Sequence, residues 1–256
     1  MASAPQAKNL PLLFKDLVPL STNEHKDWKA RNVENAPWIV GQHAVPIAID
    51  EFVHAQRFYP IVFSSGEDPV PLALMGLNEG VNMFVDDEGK LIDRPYVPAY
   101  IRRYPFMLAR LRPETDDLSL CFDPTAGVIG EFDEGQALFD NGEMGEPVKA
   151  VLGFCEQWEQ SWQRTQAFMQ EVKEAKLLID GEVAIQPPEA QQPFIYRGFQ
   201  MIAEEKLRDL RGDQARKMVQ NGILPLLYAH IFSLSLMSEL FQKQMAAGKV
   251  PLQAAA

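Results

Sequence analysis

The chain has 256 residues, 46% hydrophobic and 23% charged, enough for one large domain or two small ones around a sizeable core. Its net charge of −11 argues against a nucleic-acid binder, whose phosphate contacts need a basic surface, and against attachment to anionic lipid. The two cysteines, Cys121 and Cys155, match no zinc spacing, and nothing in the sequence supports a disulfide between them.

Taken in chain order, residues 1–35 read as an extended N-terminal arm with apolar anchors at Leu10, Leu12 and Phe14. The first 20 residues lack a charged segment followed by an apolar one, so no cleaved signal peptide is expected. Residues 36–122 read as a β-rich region with short helices. Val45–Ile49 is a short strand, and Asp50 is the expected N-cap of a helix running to Phe58. Tyr59–Phe63, Leu72–Leu77 and Asn82–Val85 are three β-rich runs separated by the turns Ser64-Ser65-Gly66 and Asn78-Glu79-Gly80, the pattern of an antiparallel meander. Pro98 opens a short helix that Pro105 ends, because the residue before a proline leaves the helical region. Phe106–Leu111 and Leu118–Phe122 are two further strands.

Residues 123–146 are glycine-rich, and Glu131–Glu146 carries six acids and no base; this reads as a solvated acidic loop or lid. The acids do not follow calcium-loop spacing. Residues 147–246 read as a helical region with two strands, the whole chain forming one compact domain. Pro147 opens a long helix whose stripe Val151, Cys155, Trp158, Trp162, Thr165, Met169 and Val172 faces a core. Residues 178–185 and 193–202 are strands around a Pro187-Pro188 loop. Ala203–Gln220 and Pro225–Met245 are the last helices, broken at Asn221-Gly222, before an Ala-rich tail. No run approaches about 18 uninterrupted apolar residues, so no membrane span is expected. The fold class is α+β: mainly antiparallel sheet in the N-terminal half and long amphipathic helices in the C-terminal half.

Few constellations carry chemistry. There is no nucleophile elbow, no His-Glu-x-x-His and no phosphate-binding glycine motif. The four histidines, His25, His43, His54 and His230, share no helical i, i+4 spacing, and His230 on an apolar face reads as a satisfied core histidine. No metal and no cofactor is expected. The exception is the stretch Tyr96 to Phe106. It places tyrosines at 96, 100 and 104, within Arg94–Arg112, which holds five arginines and no acid. Arginine forks pair with carboxylate or phosphate, and tyrosine offers an apolar face with a polar tip. Tyr96, Tyr100, Arg102, Arg103, Tyr104 and Asn82 are therefore candidates for binding an acidic protein, a small anion or a sugar. The competing account is an internal clamp in which Arg102 and Arg103 pair with the protein's own acids.

At this stretch the chain resembles the bacterial SapC family. The blocks that carry the resemblance are His43–Pro46, Glu51-Phe52 with Tyr59–Phe63, Asn82–Phe84, Tyr96–Ala99, Arg102–Phe106 and Tyr228–Leu234, spanning about residues 35–245. Membership would tie the protein to bacterial surface layers, with gene neighbours such as TonB-dependent receptors, cupin-type and flavin-dependent halogenase-like proteins as partners. The family supplies no agreed catalytic residues to carry over. The expected role is thus a non-enzymatic binding, assembly or accessory protein, cytoplasmic by default, with signal-less export to the surface and the oligomeric state left open. The alternative is an enzyme or small-ligand sensor whose pocket gathers His43, Glu51, His54, Asn82 and Arg102.

Overall fold

The computed structural model describes residues 10–112, 114, 117–187 and 192–250. The start of the arm, Pro188 and the Ala-rich tail lie outside the described residues. In chain order the helices are α1 (Thr22–His25), α2 (Phe52–Ala55), α3 (Ala99–Arg103), α4 (Glu146–Glu174), α5 (Glu204–Arg208), α6 (Gly212–Gln220), α7 (Ile223–Ser233) and α8 (Leu236–Ala246). The strands of three or more residues are β1 (Ala44–Pro46), β2 (Ile61–Ser64), β3 (Pro71–Leu74), β4 (Phe106–Arg110), β5 (Leu118–Phe122), β6 (Leu178–Asp180), β7 (Val183–Ile185), β8 (Phe194–Tyr196) and β9 (Phe199–Ile202).

The main sheet is antiparallel, in the order β6-β9-β2-β3-β1. It is α+β as the sequence patterns require, but the N-terminal hairpin is completed by two strands from the C-terminal half. A second sheet pairs Val18–Pro19 with β5, and β5 with β4. The third run, Asn82–Val85, is not a strand; beyond backbone bonds of Met83 to Met75 and of Ile92 to Phe84, it forms the isolated bridge between Val85 and Leu91. Asn82 explains this. Its side-chain oxygen accepts the Phe84 N–H at 2.9 Å, giving the backbone a local partner in place of a ladder.

From residue 10 on, the N-terminal stretch carries the short helix α1 and is paired on both sides of it. Lys29–Ala30 lies between Ile129–Gly130 and Gln136–Ala137, so the stretch expected as a solvated loop supplies short strands to the arm. That stretch also buries Ile129, Leu138 and Phe139 in an apolar cluster with Phe106, Phe122 and Cys155.

Helix α4 is the central packing element. Cys155, Trp158, Thr165, Met169 and Val172 of its stripe are buried, while Val151 and Trp162 are half-buried. Before it, Asp50 does not cap the short helix it precedes. Ile49–Glu51 is a 3₁₀ turn starting after Ala48, and Glu51 reaches back to accept the Ala48 N–H at 3.0 Å. Asp50 instead accepts from Ser161 at 2.7 Å and pairs with Arg164, while the Ile49 N–H donates to Thr165 at 3.0 Å. Three consecutive residues thereby fasten the turn to α4 and α3.

The segment from Ile223 to Ala246 is apolar and long enough to cross a membrane by composition. Here it breaks into α7 and α8 at Leu234-Ser235 and sets polar groups against the sheet. Ile61 and Ile202 stand opposite each other where β2 and β9 part, and the His230 ring joins them. Its Nδ1 lies 2.7 Å from the Ile61 carbonyl, and its Nε2 accepts the Ile202 N–H at 3.1 Å. Those partners require the neutral ring with the proton on Nδ1. Burial pushes its pKa down to about 4 against the opposing pull of the Ile61 carbonyl. Ser233 accepts the Ile61 N–H at 2.9 Å and donates to the His230 carbonyl at 2.6 Å.

Candidate functional site

The stretch from Tyr96 to Phe106 folds as the two prolines demand. Pro98 stands at the N-cap of α3, and Tyr104 is extended (φ −62°, ψ 136°) before Pro105, which opens β4. The Ala99 N–H, first in the helix, donates to Glu51 at 2.7 Å, and the Tyr96 hydroxyl donates to the same oxygen at 2.9 Å. Burial raises the Glu51 carboxyl above its ordinary range, while Ala99, Ala48, Tyr96 and the nearby Arg102 charge pull the other way.

The other tyrosines also hold the protein's own groups. Tyr100 donates to the Leu12 carbonyl at 2.6 Å, tying the arm to α3. Tyr104 donates to Asp123 at 3.4 Å, and Tyr59 donates to the Tyr96 carbonyl at 2.7 Å. Burial, helped by the Asp123 charge, pushes the Tyr104 hydroxyl up to about 12; burial and Glu51 do the same for Tyr96. Asp123 itself, despite burial, is held below the ordinary carboxylate range by donors from Lys15 and Thr125.

The two arginines separate. Arg103 is 5% exposed, with its guanidinium 4.6 Å from the Tyr100 ring centroid, 5.0 Å from that of Trp158 and 5.8 Å from that of Phe14. Glu159 pairs with it at 3.7 Å. Arg102 is exposed; its Nε donates to the Val97 carbonyl at 3.0 Å, and its guanidinium stands 5.0 Å from the Phe154 ring centroid.

Both arginines line a cavity of about 610 Å³ between residues 30–36 of the arm, α3, and the first turns of α4. Its apolar walls include Trp38, Tyr104, Phe106, Val151 and Phe154. Its charged lining residues are Arg31, Arg102, Arg103 and Glu34. Arg31 lies over the Phe132 ring at 3.7 Å. Two buried donors on lining residues, Trp38 Nε1 and Arg103 Nε, have no acceptor among the described residues. A cavity of this size, mostly apolar with a few polar groups, has the form of a small-molecule site (about 300–1,000 Å³).

Of the expected binding residues, Arg102, Arg103 and Tyr104 line this cavity, and Tyr96 touches Arg102. Tyr100 backs it through Arg103. Asn82 is buried, donating to the Ile39 carbonyl at 2.8 Å and contacting Met75 sulfur. Of the alternative pocket, Glu51, His54 and Arg102 meet through Tyr96, on which His54 stacks at 5.7 Å. His43 contributes its carbonyl to the Met75 and Gly76 N–H groups. No group of three or more metal-ligating side chains occurs among the described residues. Both thiols are pushed up to about 11 by burial. Sequence reasoning missed Arg31, Trp38 and Phe154. Arg31 in the arm and Trp38 just after it are isolated residues, and Phe154 flanks the α4 stripe, so no spacing marked them.

No curated protein and no solved structure matches the chain. The model of the SapC family matches residues 20–240, a span that contains α3, the cavity walls and the His230 junction. The chain therefore belongs to the SapC family.

Proposed function

We propose that this SapC-family chain is a binding protein that takes an anionic ligand in the cavity under the arm. It would serve as an accessory or assembly component of the surface-layer or TonB-dependent uptake systems to which the family resemblance points. One observation carries the reading: Arg102 and Arg31 both line the cavity and neither forms an ion pair among the described residues. In a chain with 35 acids and 24 Lys and Arg residues, two lining arginines outside any ion pair among the described residues favour an external anion.

Native mass spectrometry of the full chain purified from its own host tests it. An anionic adduct is expected on the wild type and lost in the Arg31→Ala/Arg102→Ala double variant. An adduct retained unchanged by the variant, or none on the wild type, overturns the reading.

A further inference from the structure

Resting on that reading, we infer that the ligand is a monocarboxylate carrying an extended apolar body. The lining charges set the valence. Three arginines and one glutamate line the cavity, and Arg103 is already neutralised by Glu159 from behind. Arg31 stacks on the Phe132 ring, which is not part of the lining, and Arg102 is the cation held against the apolar walls; one guanidinium matches a single carboxylate and not a polyanion.

The donors select carboxylate over phosphate. Phosphate sites draw on clustered backbone N–H groups at a helix start. The helix beside Arg102 has given its first N–H, that of Ala99, to Glu51. What remains is one guanidinium, held by the Val97 carbonyl and the Phe154 ring, which can meet the single charge of a carboxylate but lacks the further donors that a phosphate's additional oxygens would take.

The walls select the body. Trp38, Phe106, Val151 and Phe154 offer aromatic and branched surface, and the volume exceeds what a bare carboxylate fills. Removing such a body from water supplies most of the affinity, and the arginine sets which end faces out.

Isothermal titration of the full chain with decanoate, 1-decanol and inorganic phosphate tests this. Decanoate is expected to bind at least about tenfold more tightly than decanol, a 1.4 kcal/mol preference. Phosphate is expected neither to bind nor to compete. Arg102→Ala, at an exposed position, is expected to melt as the wild type does and to erase the preference for decanoate. Equal binding of decanol and decanoate, or a preference that survives Arg102→Ala, overturns the carboxylate assignment. Phosphate binding without decanoate binding overturns the amphiphile while leaving an anion site. No binding of any probe to a chain that carries an Arg102-dependent adduct from its host overturns the ligand class alone. The absence of both overturns the class and the binding function together.

Discussion

Arg102 and Arg103 are chain neighbours whose surroundings differ in nearly every respect. Arg103 is caged by Phe14, Tyr100 and Trp158 and paired with Glu159, while Arg102 is exposed and forms no ion pair among the described residues. The internal clamp is therefore seen at Arg103, and the proposed binding role falls to Arg102. Arg103→Ala is expected to destabilise the fold by about 3 kcal/mol, because it empties an aromatic cage and leaves Glu159 without its cation. Arg102→Ala is expected to stay within about 0.5 kcal/mol. Urea midpoints of the two variants check this, and equal midpoints would remove the distinction.

Glu51 accepts three donors on two oxygens, from Ala48, Ala99 and Tyr96. Glu51→Gln must aim an NH₂ at one of those donors. The expected cost is about 2 kcal/mol, from a buried donor facing a donor. It should appear as an earlier urea transition with an unchanged slope.

His230 predicts an acid limb in stability. Its folded pKa, about 4, lies below the ordinary 6.5, so between those values the unfolded chain binds the proton more readily. Its contribution is complete above about pH 6.5, declines as pH falls, and levels off below about pH 4. The total loss is up to about 3 kcal/mol. In His230→Phe the limb should flatten across that window, while stability at pH 7 drops by about 2 kcal/mol from the stranded Ile61 and Ile202 groups. An acid limb unchanged in the variant would assign the proton uptake elsewhere.

Gly89 tests the cavity roof. Its φ is +82°, its carbonyl accepts the Ala36 N–H at 2.8 Å, and an added Cβ would lie 2.4 Å from the Ala36 carbonyl carbon. Gly89→Ala is expected to cost about 2 kcal/mol and to weaken binding in the cavity, because Ala36 and Gly89 both line it. Thermal melts and titration of the same variant measure the two effects.

Local rules made much of this fold legible. Proline restrictions bounded α3, the 3.6-residue period placed α4, and alternation with turn signals placed β2 and β3. The cavity was not legible, because its walls come from positions such as Arg31, Trp38, Arg102 and Phe154 that only tertiary packing brings together. Periodicity reports which face of an element is buried and not what lies opposite it. Glu51 was visible as a motif residue, yet its role depends on α3 arriving 48 positions later in the chain. The tyrosines were conspicuous by spacing, but their hydroxyl partners, Leu12, Glu51 and Asp123, lie far from them in sequence.

The junction at His230 also governs alignment. A strand that slips by one residue turns every side chain to the opposite face, so the buried faces of β2 and β9 already oppose slippage. Here one imidazole must meet the Ile61 carbonyl on one side and the Ile202 N–H on the other. A one-residue offset of either strand would break that double match and strand both groups in the core. The ring thus acts as an index pin: with α7 docked, the strands from the two halves of the chain share a single pairing that satisfies both groups.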